Sequence, residues 1–481
     1  MNPPPDPVRP RAAVQAFLIA TASIVAGHHA VAAEPGADAE VVFHRPPKPL
    51  ASGVVTHDWT SFLGPTHDGI CPETKLLKSW PAGGPSLVWE MKAGEGYASP
   101  AIQRQVLVYF HRIGNSERVD CVHAETGRRF WKYEYPTAYR DRYGFSNGPR
   151  ASPVIDGTRV FTFGAEGKLH CLDLATGRVI WKNDTTGTFG VPANFFGVGS
   201  SPLVEGDLLI VQVGATGGPC VVAFDKADGK VVWKAGDRWL ASYASPVPAV
   251  VHGQRRVLVF AGGDARPPTG GLLSIDPANG AIDARFPFRG RKYESVNASN
   301  PVFAGNQVFL STSYATGGAA LNLKAGGGSA VAWKSDDLGT HFATPILKDG
   351  FLYGIGGMQN NVALVCLDWK TGHKQWRHFP EWTEDVLRNG KKEAATFSTG
   401  AGAMIHADGH FLLLGEFGHM LWADLTPQGY RELQRVRLFD ARQTWCPPVI
   451  CRGLLYISQN RPDRSGGTGP RLLCYDFRNA R

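Results

Sequence analysis

The chain has 481 residues, of which 19% are charged and 11% aromatic, and it contains 57 glycines and 34 prolines. This composition excludes an intrinsically disordered chain and is typical of a globular protein with many tight turns between short strands. The net charge is +8, but no run of five or more Lys or Arg residues occurs. We therefore interpret the basic balance as a solvated surface and predict no nucleic-acid partner.

Residues 1–33 have the composition of an export signal. Arg9 and Arg11 precede an apolar stretch over residues 12–27, and Ala30-Val31-Ala32 offers a small-residue cleavage site. The apolar stretch is shorter than the ~20 residues that a membrane-spanning helix needs, although a retained anchor is the alternative. We predict a signal peptide over 1–33, a periplasmic or secreted mature protein, and no transmembrane segment after signal removal.

Residues 34–56 are rich in Pro, Ala and His without periodicity and predict a flexible linker. A compact lead-in begins at Asp58, and the first clear strand is Leu87–Lys92, which carries Trp89. Residues 57–481 are predicted to form one repeat domain.

Eight short segments, most of them containing Ser-Pro or a related pair, each precede an apolar run in this domain. The segments begin at residues 98, 151, 200, 244, 298, 343, 398 and 446. The runs cover 106–110, 159–163, 208–213, 256–260, 307–311, 351–355, 411–415 and 454–458. Two matched series at a spacing of ~40–50 residues, with strand-like and not helical patterns, predict eight radially repeated sheets.

A turn motif follows these runs and is clearest in CLDLATGRVIW (171–181), AFDKADGKVVW (223–233) and CLDWKTGHKQW (366–376). The Asp can accept backbone N–H bonds, the Gly can adopt positive φ, and the Trp can pack on the next blade. Among degenerate copies, His123 and Asn322 take the Asp position, and Phe286 and Leu433 replace the Trp. We predict a structural role for Asp173, Gly177, Trp181, Asp225, Gly229, Trp233, Asp368, Gly372, Trp376, Trp89 and Trp131.

The last copy is incomplete, because Cys474-Tyr475-Asp476 starts the motif and no Trp follows before Arg481. Trp89, in contrast, has no turn of its own before it. We therefore predict an all-β, eight-bladed β-propeller of four-stranded antiparallel blades, in which the N-terminal strand closes the last blade. Closure removes exposed sheet edges that would promote aggregation.

These turns resemble the tryptophan-docking motif of the pyrroloquinoline quinone (PQQ) dehydrogenase-like β-propellers, and the resemblance covers about residues 57–481. That superfamily includes redox enzymes and non-catalytic scaffolds of the outer-membrane assembly type. The resemblance implies a propeller and leaves two functions open. One is an exported scaffold for an envelope protein or peptide partner, and the other is a PQQ-dependent alcohol or sugar dehydrogenase with Ca²⁺.

The features that the resemblance implies for a dehydrogenase are not found in the sequence. No adjacent Cys-Cys pair, Cys-x-x-Cys-His haem motif or His-Glu-x-x-His metal motif occurs. His406, His410 and His419 are close in sequence, and we predict that they are solvent-exposed and not metal ligands. We therefore favour the monomeric scaffold and predict no catalytic residue, no metal and no cofactor.

The eight cysteines divide into two groups. Cys121, Cys171, Cys366 and Cys474 occupy equivalent positions of different blades and cannot pair, so we expect them to be buried apolar residues. Cys71, Cys220, Cys446 and Cys451 remain possible partners, and their pairing is left open.

A binding site is predicted at the channel mouth, where the chain crosses from one blade to the next. Binding and plain packing between blades are both compatible with the aromatic residues there, and Arg150 could offer a bidentate donor to an anion. The candidates are Tyr97, Arg150, Phe196, Tyr243, Asn297, His341, Phe342, Phe397 and Trp445. A second candidate surface is the insertion 380–395, which Pro380, early acidic residues and late lysines predict to be a short helix.

Overall fold

The computed structural model describes residues 40–358, 361–388 and 390–479. Within them, eight antiparallel sheets follow one another along the chain, and each contributes four strands of a propeller blade. The predicted all-β, eight-bladed architecture is confirmed. The predicted signal peptide 1–33 lies outside the described residues and stays a prediction.

The first four blades have their strands in simple sequence order. Blade 1 contains β4 (Ala101–Gln103), β5 (Val106–Ile113), β6 (Ser116–His123) and β7 (Arg129–Pro136). Blade 2 contains β8 (Val154–Asp156), β9 (Arg159–Phe163), β10 (Lys168–Asp173) and β11 (Val179–Asp184), followed by the short helix α1 (Thr185–Phe189). Blade 3 contains β12 (Leu203–Glu205), β13 (Leu208–Gln212), β14 (Val221–Asp225) and β15 (Val231–Ala235). Blade 4 contains β16 (Val247–Val251), β17 (Gln254–Ala261), β18 (Gly271–Ile275) and β19 (Ile282–Pro287).

The other four blades include the two segments that break this order. Blade 5 contains β20 (Val302–Ala304), β21 (Gln307–Thr312), β22 (Gly317–Leu323) and β23 (Ser329–Ser335). Blade 6 contains β24 (Ile346–Lys348), β25 (Phe351–Gly356), β26 (Ala363–Asp368) and β27 (Lys374–His378). A hairpin, β28 (Glu381–Arg388) and β29 (Lys391–Ser398), precedes blade 7, which contains β30 (Ala403–Ala407), β31 (His410–Leu414), β32 (His419–Thr426) and β33 (Gly429–Arg437). Blade 8 contains β34 (Val449–Cys451), β35 (Leu454–Gln459), β36 (Arg471–Asp476) and, from the N-terminal part, β3 (Leu87–Lys92).

The N-terminal strand closes the ring, as predicted. β3 pairs with β36, and Trp89 lies opposite Cys474 at the place that a Trp occupies in other blades. Apolar clusters join consecutive blades, and the largest joins blades 7, 8 and 1 through residues such as Trp422, Leu455 and Tyr109. Because the residues of this cluster are buried, closure depends on side-chain packing as well as on strand pairing.

Each docking Trp contacts the turn of the next blade. Trp131 Nε1 donates to the carbonyl of Leu174 at 2.8 Å, and a Cβ added to Gly177 would meet the Trp131 ring at 2.5 Å. Gly177 also has a φ of +71°, a backbone conformation that favours glycine. The same Nε1-to-carbonyl bond is made by Trp89, Trp181, Trp233, Trp333 and Trp376.

The predicted Trp replacements in blades 4 and 7 are wrong by one or two residues. Each outer pair of strands carries a β-bulge at the docking position, which shifts the register there. Ala284, not Phe286, lies opposite Ser274 at the Trp position, and Gln434, not Leu433, lies opposite Trp422.

A chain of hydrogen bonds around the inner strands explains the Ser-Pro segments. Five backbone N–H groups each donate to the side-chain oxygen at the same position of the next blade, at 2.7–3.0 Å. The acceptors are Ser152, Ser201, Ser245, Asn300 and Thr344. The side-chain oxygen, a hydroxyl in four cases and the amide of Asn300 in the fifth, therefore fixes the spacing between blades, while the following proline needs no hydrogen-bond acceptor.

The lead-in lies across one face of the propeller. Trp59 exchanges backbone hydrogen bonds with Ile102 of blade 1, and the carbonyl of Thr60 accepts from Ile155 of blade 2. Strand β2 (Ile70–Cys71) pairs in parallel with β30 of blade 7, and the Glu73 carboxylate accepts from two backbone N–H groups of blade 8. This segment therefore links blades on both sides of the N-terminal closure.

Two predicted segments differ in the structure. Within the predicted flexible linker 34–56, β1 (Val41–Phe43) pairs with β3 as a fifth strand of blade 8, and its Val41 packs on the apolar cluster of blades 7, 8 and 1. The predicted helix over 380–395 is instead the hairpin β28–β29. Its buried face, with Trp382, Val386 and Phe397, packs on blades 6 and 7.

The predictions for the cysteines and for three histidines have different outcomes. All eight cysteines lie in the described part of the chain, are buried and have free thiols. The prediction of exposed histidines is wrong for His406 and His419, which are buried, because the hairpin and lead-in cover them. His419 Nε2 lies 2.9 Å from Glu384 of the hairpin, and burial lowers the pKa of this imidazole.

Candidate functional site

Aromatic residues from six blade crossings meet at the end of the channel opposite the lead-in. The ring centroid of Trp445 lies 5.1 Å from those of Tyr97 and Phe342, and that of Phe196 lies 5.6 Å from that of Tyr243. Phe145 connects the two groups, at 5.8 Å from Trp445 and 5.9 Å from Phe196. We call this contiguous set, Tyr97, Phe145, Phe196, Tyr243, Phe342 and Trp445, the aromatic mouth. Each member is half-buried and therefore still presents part of its ring.

The two tyrosines of the mouth are fixed by hydrogen bonds. Tyr97 Oη donates to Gln443 Oε1 at 2.8 Å, and Tyr243 Oη accepts from the backbone N–H of Phe196 at the same distance. Burial raises the pKa of both phenols. Both hydroxyls therefore stay neutral, and their rings are held at defined positions.

Arg150 lies inside the aromatic mouth, and one side of its guanidinium is already paired, whereas its Nη1 is buried without a hydrogen-bond partner. Its guanidinium lies 5.6 Å from the ring centroid of Tyr97 and 5.5 Å from that of Phe196. Its Nη2 donates to the buried Asp141 carboxylate at 2.7 Å. One of the two donors predicted to bind an external anion therefore binds Asp141. The guanidinium also contacts two rings by cation–π interaction.

The remaining three sequence candidates lie outside this set. Phe397 belongs to the hairpin and contacts Phe417 and His419, so the structure does not bring it to the mouth. Asn297 is fully buried, and its amide donates to backbone carbonyls of Ala261 and Phe288. His341 extends the mouth, because its ring contacts Phe342 and its Nε2 lies 2.8 Å from Tyr314 Oη.

Sequence reasoning missed the contributions of two crossing loops. Phe145 and Asp141 lie in the loop between blades 1 and 2, and the Asp141 carboxylate accepts from the N–H groups of Tyr143 and Phe145 to fold it. The loop between blades 2 and 3 adds Phe195, which contacts Tyr143. The aromatic residues in YRDRYGF (139–145) and NFFG (194–197) are the sequence feature that points to these loops, but both segments lie outside the repeated strand starts.

A cleft of about 270 Å³ adjoins the mouth between blades 2, 3 and 4. Valine, leucine and alanine side chains form much of its wall, with Glu166, Asn194 and Asp264 among its polar residues. Asp264 is already paired with Arg142 at 2.8 Å. The cleft can therefore accept an apolar side chain beside the aromatic mouth more readily than a free cation.

A Ca²⁺ site for the PQQ alternative would draw on carboxylate and amide oxygens of the described residues. Among them, no group of three or more His, Cys, Asp or Glu side chains could hold a metal ion. The rings of Tyr97 and Phe342 are tilted by 34° and 49° against that of Trp445, so neither faces it in parallel.

Comparison with known proteins identifies the family. A family model described as outer membrane protein assembly factor BamB, within the PQQ-like repeats, matches residues 115–378. The chain belongs to this family of PQQ-like repeat propellers. The resemblance inferred from the turn motifs is thereby confirmed.

Individual relatives of both functional types are similar to the chain. Quinohemoprotein alcohol dehydrogenase ADH IIB of Pseudomonas putida is 30% identical over 121 residues, which cover 24% of this chain and 17% of that protein. The structure of BamB from Moraxella catarrhalis has a TM-score of 0.53 at 16% identity and covers 82% of this chain and 98% of its own. A europium-containing methanol dehydrogenase has a TM-score of 0.61 at 11% identity, covering 87% and 98%. At such identities the structural likeness shows the fold alone.

No helix among the described residues is long and apolar enough to cross a membrane.

Proposed function

We propose that this protein is an exported, non-catalytic propeller that binds an envelope protein or peptide partner at the aromatic mouth. The observation that carries the proposal is the contact between rings from six separate blade crossings, with Arg150 held between two of them. Half-buried aromatic rings offer large, rigid contact area at low entropic cost. The adjoining apolar cleft would accept a side chain of the same partner.

Membership of the PQQ-like repeat family supports a scaffold, since the matching family model is described as an assembly factor. The predicted signal peptide supports a periplasmic or secreted location. N-terminal sequencing of the mature protein from an envelope fraction tests that part, with cleavage expected near residue 33.

Site-specific photo-crosslinking tests the binding face. A photoreactive phenylalanine analogue at Phe342 or Trp445 should give one cross-linked partner, which is then purified and titrated against the wild type. Trp445→Leu should weaken that binding at least about tenfold, as expected for an aromatic residue at the centre of an interface. Phe379→Leu is the matched control, because Phe379 is an exposed ring under Arg377 and contacts no residue of the aromatic mouth. Equal losses for both variants would place the site elsewhere.

The dehydrogenase alternative is tested directly with PQQ and Ca²⁺. The 30% identity to a quinohemoprotein alcohol dehydrogenase is the observation in its favour. We expect no tightly bound quinone absorbance and no dye reduction with alcohols or sugars. Stoichiometric quinone binding with turnover would overturn the scaffold proposal.

A further inference from the structure

The outer edges of blades 2 and 3 expose adjacent pairs of aliphatic residues. On β11, Val179 and Ile180 are 39% and 44% exposed, and on β15, Val231 and Val232 are 39% and 51% exposed. In the described structure both strands lie at the outer edge of their sheet, with no further strand beyond them. An exposed edge with apolar residues is a template for pairing with another chain.

In blade 8 the equivalent outer edge is paired with a further strand of the same chain. Because Trp89 is equivalent to Trp181, the residue before it, Val88, is equivalent to Ile180, yet Val88 is completely buried. The chain's own segment 40–45 lies along this edge, and its strand β1 pairs antiparallel with β3. The backbone N–H of His44 donates to the carbonyl of Val88 at 2.8 Å, and that of Lys92 donates to the carbonyl of Glu40 at 2.7 Å.

The charge on the edges differs between blade 8 and blades 2 and 3. In blade 8 the residue after the Trp is Glu90, and its carboxylate lies 3.2 Å from His44 of the covering segment. The equivalent residues of blades 2 and 3 are Lys182 and Lys234, which are exposed. Lys182 forms no ion pair with any residue that the structure describes, and Lys234 lies over the ring of Phe189. A covering strand on these edges would thus carry an acidic residue where blade 8 has His44.

We propose that the outer edges of blades 2 and 3 bind an extended peptide of a partner protein as a fifth antiparallel strand. The peptide has two or three consecutive aliphatic or aromatic residues followed by an acidic one. Pairing with the edge of a second copy is disfavoured, because it would bring Lys182 or Lys234 near further lysines. This surface lies on the propeller rim and is independent of the aromatic mouth.

The test uses labelled peptides with the sequence of residues 37–45, ADAEVVFHR, which includes the segment 40–45 that covers blade 8. The His44→Glu peptide should bind the full-length protein about two- to fivefold more tightly than the native peptide, since it adds an attractive cross-strand pair with Lys182 or Lys234. Hydrogen exchange should show protection of backbone amides in 179–184 or 231–236 when this peptide is bound. A Val42→Pro peptide should not bind, because proline cannot donate to the ladder.

Variants of the protein separate the rim from other surfaces. The double variant Ile180→Lys, Val232→Lys should lose at least about tenfold in peptide affinity, whereas edge lysines are tolerated by the fold. Val250→Lys is the matched control, because Val250 is 47% exposed but lies on an inner strand. Trp445→Leu should leave peptide binding unchanged, which distinguishes binding at the outer blade edges from binding at the aromatic mouth.

Three outcomes would overturn the proposal. One is the absence of amide protection at both edges, and another is unchanged affinity in the double variant with unchanged thermal stability. The third is concentration-dependent dimerisation of the wild type that the double variant abolishes, since this would assign the edges to a second copy.

Discussion

Substitution of Gly177 by alanine tests the docking of one blade on the next. Gly177 has a φ of +71°, and an added Cβ would lie 2.5 Å from the ring of Trp131. The left-handed conformation costs an L-residue about 1–2 kcal/mol, and displacement of a packed ring costs about 1–3 kcal/mol. We expect Gly177→Ala to lower the free energy of unfolding by about 2–5 kcal/mol, the sum of the two costs.

Gly157 of the same blade provides a matched control. Its φ is +57°, but no atom lies within 4 Å of an added Cβ. Gly157→Ala should therefore show only the conformational cost, about 1–2 kcal/mol. The effect of alanine on the unfolded chain is the same in both variants and cancels in the comparison.

Urea unfolding followed by circular dichroism gives both free energies. In a Trp131→Leu background the clash is relieved, so the cost of Gly177→Ala should fall to that of Gly157→Ala. Equal destabilisation by the two glycine variants in the wild-type background would refute the claim that the ring is tightly docked on Gly177.

Three further predictions concern the mouth, the closure and the response to acid. Arg150→Ala should destabilise the fold by about 3–5 kcal/mol, because it leaves the buried Asp141 charge unpaired. Adding Asp141→Asn should restore most of this loss in urea unfolding, and no recovery would contradict the pairing. Deletion of residues 57–92 should give aggregates in size-exclusion chromatography, since blade 8 loses β3, and a stable monomer would refute closure. Burial lowers the pKa of His341 to about 4, so stability should fall as the pH drops from about 6.5 to about 4. His341→Gln should remove its share of that fall, and an unchanged pH profile would contradict it.

The fold could be predicted because its determinants repeat. The three complete turn motifs identified Gly177, Trp181 and their equivalents, and the structure gives each the predicted contact with the next blade. The unpaired motif at Cys474 and the solitary Trp89 together predicted the closure. A repeat places the same physical contact at the same position several times, so one degenerate copy does not hide the pattern.

The predictions that the structure contradicts have local physical causes. The bulge between Ser274 and Ile275 shifts the register of blade 4, and no residue type in the sequence marks such a shift. In the hairpin β28–β29, Trp382 and Val386 are four residues apart, a spacing that places them on one face of either a helix or a strand. The flanking charges favoured a helix, whereas the tertiary packing of Phe397 and Trp382 selects the strand.

The candidate site was predictable in part, because strand starts must converge at the channel. Tyr97, Tyr243, Phe342 and Trp445 lie on the repeat and were found. Phe196 was found as a neighbour of the repeat position Gly199. Loop conformation follows from individual hydrogen bonds, such as those of Asp141, which an alignment of repeats cannot reveal.

The division of the molecule into two faces explains how one fold can support unrelated activities. The lead-in and the docking turns lie at the end of the blades opposite the mouth, and they contain the contacts that fix the blade geometry. Each crossing loop at the mouth leads into the start of an inner strand, which the Ser and Asn side chains hold in place. The mouth can therefore change in sequence while the blades stay fixed. This is consistent with a fold shared by an assembly factor and a methanol dehydrogenase at 16% and 11% identity to this chain.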